Sequence, residues 1–286
     1  MKNIMHTNNN EILKTLGPAS ARLVATLYAN NRPIFHFQEA AEILGGRTPA
    51  ANALSQLIHN GIATRLKSGT FSLVPFELGF EREYLGNPYV VARELILSGH
   101  GSKTKYYLSY GSAFDHHQMV TQPQLDIYIS SPRMMRSRTI LGSLFRFVRC
   151  KKNDLFGIEE VWVDKNEKVC VSDLERTLID GLKQPGYCGG FSEVAKAFSI
   201  KHDAIDPQKI IDYAIKLDVG AVNRRLGYLM ELYNIGSRIH WEFLQTTLTA
   251  TYQLLDPELP AEGHHTAKWR LRLNISSEEL RALRGT

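Results

Sequence analysis

Residues 37–74 read FQEAAEILGGRTPAANALSQLIHNGIATRLKSGTFSLV, and the spacing of apolar and turn residues within them decides how the chain begins to fold. The run 37–44 gathers Ala40, Ala41, Ile43 and Leu44 on one helical face. Gly45-Gly46 interrupts it, since glycine alone takes a positive φ cheaply. Thr48-Pro49 predicts the next helix start, with threonine as N-cap and proline at the first helical position, where no amide bond is lost. The expected buried stripe of that helix is Ala53, Leu54, Leu57 and Ile58, and Gly61 ends it. Beyond it, 62–66 and 70–74 alternate around Lys67-Ser68-Gly69, a hairpin signal. Upstream, 20–30 carries Leu23, Val24 and Leu27 at helical spacing before Arg32-Pro33 stops it. Three helices and a hairpin in this order predict a winged helix-turn-helix, with the first domain at 1–78.

The second helix of a helix-turn-helix lies in the major groove of DNA. Removing the buried stripe from the third helix of this chain leaves Arg47, Thr48, Asn52, Ser55, Gln56 and His59 facing outward. Asn and Gln pair bidentately with adenine, Arg with guanine, and Ser or Thr with phosphate or base. Arg65 and Lys67 fall on the hairpin, suited to backbone or minor-groove contact, and the small Ala50, Ala51 and Ala53 permit close approach. A wet helical subdomain or a protein-interaction module fits the same pattern, so the charge distribution matters. Residues 1–75 hold seven Lys and Arg against only Glu11, Glu39 and Glu42. A second basic block carries Arg133, Arg136, Arg138, Arg146, Arg149, Lys151 and Lys152 with no acid inside it, a candidate second nucleic-acid patch. Such patches favour a polyanionic partner through counterion release.

At 286 residues the chain is long enough for two domains. The turn-rich 75–88 reads as the connection. Strands are predicted at 106–110, 125–130, 145–149, 160–163 and 169–171, with a hairpin turn at 164–168. Helices are predicted at 173–182, 191–198, 207–217, 221–233 and 239–252, then a strand at 269–275. Ser276 and Glu279 form a capping box for a last short helix. The class is therefore α+β: a winged helix-turn-helix, then a larger mixed α/β domain at 79–286 with a short-stranded sheet and a helical C-terminal portion. No run of 18 apolar residues predicts a membrane span. The first ten residues read as a polar lead-in rather than a signal peptide. Cys150, Cys170 and Cys188 stand apart without a CxxC pair, which suits neither a disulfide scaffold nor a zinc ribbon. A cytoplasmic location is expected.

Enzymatic readings have few supports. His116-His117 beside Asp115 invites a metal, but neighbouring side chains diverge on a helix or strand, so no metal site is expected there or at His264-His265. Asp126 and Glu175 invite a nuclease-like carboxylate pair, the basis of an alternative reading as a metal-dependent nucleic-acid enzyme. However, Ser172-Asp173-Leu174-Glu175 fits a capping box in which Glu175 satisfies a backbone amide. Asp173 also suits a first helical turn. No GxGxxG, Walker loop, GxSxG or HExxH is present. The expectation is a protein that is not an enzyme, with no catalytic residue, metal or cofactor. Tyr106, Tyr107 and Tyr110 are read as core.

Several stretches then point to a family. They are the winged helix; Tyr106-Tyr107-Leu108-Ser109 leading through Ala113 to Thr121-Gln122-Pro123; Asp126-Ile127-Tyr128-Ile129; 171–180, reading VSDLERTLID; Gly189-Gly190; and 224–229, reading RRLGYL. Through them the chain resembles the AbiEi antitoxins of type IV toxin–antitoxin systems, which belong to abortive phage-defence operons, over roughly 15–275. Where such proteins have a glycine after the helix near Ala113, this chain has His116-His117-Gln118. The resemblance implies a repressor of its own operon that binds inverted repeats in double-stranded promoter DNA through its N-terminal domain. It also implies a C-terminal domain that counters a nucleotidyltransferase-like toxin and need not form a stable complex with it. No dimerisation helix is legible, so monomers binding DNA cooperatively are expected. A stand-alone transcription factor with a ligand-sensing second domain is the other alternative.

Overall fold

Residues 16–75, 84–97, 105–120, 125–164 and 166–283 are described by the computed structural model. The polar lead-in, most of the predicted connection and Thr121-Gln122-Pro123 lie outside the described residues. The chain divides into two compact units. The first comprises Met1–Thr104 with Arg138–Leu144 and Trp162–Lys168; the second is Lys105–Ser137, Phe145–Val161 and Val169–Thr286. The first unit therefore runs well past residue 78 and recruits two later hairpin tips.

The first unit is built on the order foreseen, with one strand added. Helix α1 (Pro18–Ala29) buries Leu23, Val24 and Leu27. Strand β1 (Ile34–His36) was not foreseen, because three residues give alternation too little length to register. Helices α2 (Phe37–Leu44) and α3 (Arg47–His59) follow, then β2 (Ala63–Lys67) and β3 (Thr70–Leu73). The strands lie in the order β1-β3-β2, both pairings antiparallel. Phe35 of β1 stacks on Phe71 of β3 at 5.8 Å between ring centroids.

Two details of α3 differ from expectation. Gly46, not Thr48, is the N-cap, which puts Pro49 at the third helical position. The site tolerates proline because the first-turn amides have no intrahelical partner in any case. The buried stripe is Ala50, Ala53, Leu54 and Leu57, while Ile58 is 38% exposed. At 3.6 residues per turn the first four share a face and position 58 falls off its edge.

Helix α4 (Pro88–Leu97) completes this unit and buries Val90, Val91, Ala92, Leu95 and Ile96. Its polar residues tie the later hairpin tip to the winged helix. Arg93 pairs with Glu94 at 2.8 Å and Glu167 at 2.6 Å and donates to the Lys168 carbonyl at 2.7 Å. Glu94 in turn holds His36 of β1 at 3.0 Å. Burial works to raise the Glu94 pKa, but the His36 hydrogen bond and the Arg93 charge outweigh it, leaving the carboxyl below its usual 4.5.

A six-stranded sheet, order β6-β7-β5-β4-β9-β8, runs through the middle of the sequence. Its strands are β4 (Tyr107–Leu108), β5 (Asp126–Ser131), β6 (Arg138–Ile140), β7 (Ser143–Arg149), β8 (Ile158–Asp164) and β9 (Glu167–Ser172). Strand β4 is antiparallel to β5 and parallel to β9. It is shorter than predicted because Tyr110 turns into the left-handed region at φ 50° and opens helix α5 (Tyr110–His116), which contains Ala113. Tyr106, Tyr107 and Tyr110 are all buried, as read.

The helical portion holds α6 (Leu174–Lys183), α7 (Phe191–Ile200), α8 (Pro207–Leu217), α9 (Gly220–Leu232), α10 (Arg238–Thr246) and α11 (Ser277–Ala282). Short strands β10 (Gln253–Leu254), β11 (His264–Thr266) and β12 (Leu271–Leu273) form a small third sheet. Phe114, Leu178, Phe191, Phe198, Leu226 and Trp269 lie in one core. The Ser276–Glu279 capping box is present, with Glu279 N donating to Ser276 Oγ at 3.1 Å and Ser276 N to Glu279 Oε2 at 2.9 Å. The Ser172–Glu175 box is not. Helix α6 starts one residue later than that reading requires, so Asp173 caps it by accepting from Arg176 N at 2.9 Å. The class is α+β.

Candidate nucleic-acid interface

The α2–α3 turn positions α3. Gly45 closes α2 in the left-handed conformation (φ 76°), and Gly46 leaves it extended. The Gly46 amide donates to the Ala41 carbonyl at 2.9 Å, so the turn is tight without a side-chain cap. The α3 N-terminus therefore presents first-turn amides that suit a phosphate oxygen.

A groove runs between α3 and the β2–β3 hairpin, lined by Phe37, Arg47, Ala51, Ser55, Arg65 and Ser68 among others. Arg47, Ser55 and Arg65 are exposed, and the Arg47 guanidinium lies over the Phe37 ring at 5.2 Å. That stacking holds the long side chain above the groove at low cost in further ordering. Thr48, Asn52 and His59 are exposed on the same helix. Of the three alanines read as clearance, only Ala51 is on the surface; Ala50 and Ala53 pack in the core.

Two predicted contact residues are engaged elsewhere. Gln56 is exposed, but its Oε1 accepts from Ser20 Oγ of α1 at 3.0 Å. Lys67 donates to the Leu95 carbonyl at 3.0 Å, near the end of α4. Both partners lie far along the chain, and no local pattern announces them.

The residues of the second basic block divide between the two compact units. Arg138 belongs to the first compact unit and the other six residues to the second. Arg146 is held by Asp126 at 2.6 Å and lies 5.9 Å from the Tyr128 ring centroid. That hydrogen bond raises its already high pKa. Arg133 is half-buried, whereas Arg136, Arg149, Lys151 and Lys152 are exposed.

The carboxylates of the nuclease reading are committed to structure. Asp126 holds Arg146, while Glu175 accepts from Asp206 N at 3.0 Å and pairs with Lys209 at 2.7 Å. Burial alone would lower the Lys209 pKa, but its bonds to Glu175 and Asp173 raise it. Among the described residues, neither Asp126 nor Glu175 belongs to a cluster with metal-ligating geometry.

The stretches behind the family resemblance are architectural in this fold. Arg176, 1% exposed, binds Asp180 at 3.0 Å and Tyr107 Oη at 2.9 Å. Arg225 donates to the carbonyls of Leu182 at 2.7 Å and Leu254 at 3.1 Å, and Arg224 to those of Gly220, Thr249 and Thr251. A Cβ on Gly227 would stand 2.0 Å from the Trp269 ring, so only glycine lets that indole approach α9.

No protein-family model matches the chain. No curated protein matches it either. A solved structure does. The chain is similar to the RV2827C protein from Mycobacterium tuberculosis, with a TM-score of 0.71 and 13% sequence identity. The match covers 95% of this chain and 96% of that one. At so low an identity the likeness is one of fold, and it extends over both compact units. Among the described residues, no helix is long and apolar enough to cross a membrane. Cys150, Cys170 and Cys188 form no disulfide, and Cys188 is fully buried.

Proposed function

We propose that this protein is a DNA-binding autorepressor and antitoxin, acting in the cytoplasm, that reads its own promoter with α3 and counters a nucleotidyltransferase-like toxin. The observation that carries the DNA-binding part is the groove between α3 and the β2–β3 hairpin. Arg47 and Arg65 flank it, Ser55 lines its helical wall, and no acidic side chain is among the residues lining it. Asn52, exposed on the same helix, supplies the bidentate amide for adenine. Arg47 is suited to guanine or phosphate, and Arg65 to the backbone. The antitoxin part rests on the AbiEi-like stretches at 106–109, 171–180 and 224–229, which belong to the second unit. On this reading the protein is not an enzyme, and monomers bind cooperatively to inverted repeats.

A mobility-shift titration on the protein's own upstream promoter, with salt varied and nonspecific DNA in excess, tests the proposal. Asn52→Ala should cost about 1–3 kcal/mol on the specific site and relax its sequence preference. Arg65→Ala should weaken binding to every sequence and reduce the salt slope by about 1. Gln56→Ala should leave sequence preference intact, because its amide oxygen serves Ser20. Binding no tighter than to random DNA would overturn the autorepressor. Failure of the protein to relieve toxicity of a co-expressed neighbouring nucleotidyltransferase would overturn the antitoxin half alone.

A further inference from the structure

At the end of α5 the chain leaves the helix through a Schellman turn. Met119 N donates to the Phe114 carbonyl at 2.8 Å, Gln118 N to that of Asp115 at 3.0 Å, and Gln118 takes φ 55°. His116 is the last helical residue and His117 the C-cap. Their Cβ directions differ by about 100° on a helix, which argues against a shared site. The rings nevertheless meet edge-on, with centroids 5.1 Å apart and planes at 75°. The cause is an anchor outside the helix: His117 Nε2 lies 2.7 Å from the backbone carbonyl of Ser172. Glu159 of β8 brings a carboxylate to the same place. One donor atom from each of His116, His117 and Glu159 lies within 4.8 Å of the other two.

We propose that His116, His117 and Glu159 form a binding site for a divalent transition-metal ion, with Zn2+ the best fit. Two independent features converge on it. First, the donor set is two imidazoles and a carboxylate, a combination that suits Zn2+ and its neighbours, whereas Mg2+ and Ca2+ want oxygen throughout. Second, the tautomer of His117 is fixed in the form a metal needs. A carbonyl oxygen only accepts, so Nε2 carries the hydrogen and Nδ1 is left with its lone pair. This is the outer-shell bond that metal-ligating histidines typically make. The same carbonyl takes a second hydrogen bond from Thr177 Oγ1 at 3.0 Å, which holds the anchor itself in place.

The geometry also sets the coordination. Zn–N and Zn–O bonds of 2.0–2.2 Å place tetrahedral donors about 3.4 Å apart. The outer limit of 4.8 Å closes to that distance with small rotations, chiefly of the exposed Glu159 side chain. Three protein ligands leave one tetrahedral position for water or a ligand oxygen. The ion would tie the end of α5 to β8.

Zn2+ titration of the metal-free full-length chain by calorimetry, with Co2+ absorption as a second readout, tests the proposal. One equivalent should bind, with a visible Co2+ d–d band of low-coordinate type. His116→Ala should abolish saturable binding, and Glu159→Gln should weaken it at least tenfold. Glu159 is exposed, so Glu159→Gln should fold normally, as checked by its metal-free melting curve. His59→Ala, in the first unit, should change nothing in this titration. Retention of the stoichiometric site in both His116→Ala and Glu159→Gln would overturn the proposal, as would the absence of any saturable binding in the unaltered chain. Neither result bears on promoter binding by α3, which the mobility shift reads separately.

Discussion

Single residues explain why the α5 terminus departs from the glycine that the AbiEi resemblance implies near this point. Gln118 occupies the left-handed position of the Schellman turn at φ 55°. For a residue with a Cβ that conformation costs roughly 1–2 kcal/mol, and glycine returns part of the gain through its freer unfolded chain. Gln118→Gly should therefore raise stability by roughly 0.5–1 kcal/mol, read as a higher urea midpoint at unchanged m-value. An unchanged or lower midpoint would mean that the glutamine side chain contributes more than its backbone costs. The same scale shows where specificity of fold resides. Arg176, Asp180 and Tyr107 bond to one another in the core, with Arg176 Nη1 buried outside that set of bonds, and burial is offset by the Asp180 charge in keeping Arg176 above its usual pKa. Removing one partner of such a set leaves a buried charge unpaired, which costs far more than the intact set contributes.

At the scale of elements, α4 decides how firmly the winged helix is held. Glu94 has its pKa lowered in the folded state, so its contribution is complete above the usual 4.5 and is lost as pH falls through the lower folded value. Glu94→Gln should cost about 1–2 kcal/mol at pH 7. The difference from the unaltered chain should shrink as a series of thermal melts descends below pH 4.5, and a gap independent of pH would sink the assignment. Elements with a long period are legible in the sequence: the spacing predicts α8 at 207–217 to the residue, because Pro207 follows the cap Asp206 and Ile210, Ile211, Ala214 and Leu217 repeat cleanly. Elements without one are not. Strands β1 and β6 have three residues each, too few for alternation to register. The outward positions of α3 followed from its apolar stripe. The engagement of Gln56 with Ser20, of Lys67 with Leu95 and of the two histidines with Glu159 did not, since each joins residues remote in sequence.

For the whole molecule, the division of the chain matters more than its length. The first unit is assembled from three separated segments, Met1–Thr104, Arg138–Leu144 and Trp162–Lys168. A fragment ending at residue 78 keeps α1 to β3 but loses α4 and the Arg93–Glu167 pair. Amide hydrogens of α3 should exchange at least roughly tenfold faster in that fragment than in the full chain, reporting a loss of about 1.4 kcal/mol in local opening free energy. Equal rates would mean that α4 and the hairpin tips only decorate a self-sufficient winged helix. Segment order also has a consequence in time. A ribosome emits the chain from the N-terminus, so the groove-bearing unit must wait for Lys168 to clear the exit tunnel before its last piece exists. Until then, the unit that carries the α3 groove is still unfinished.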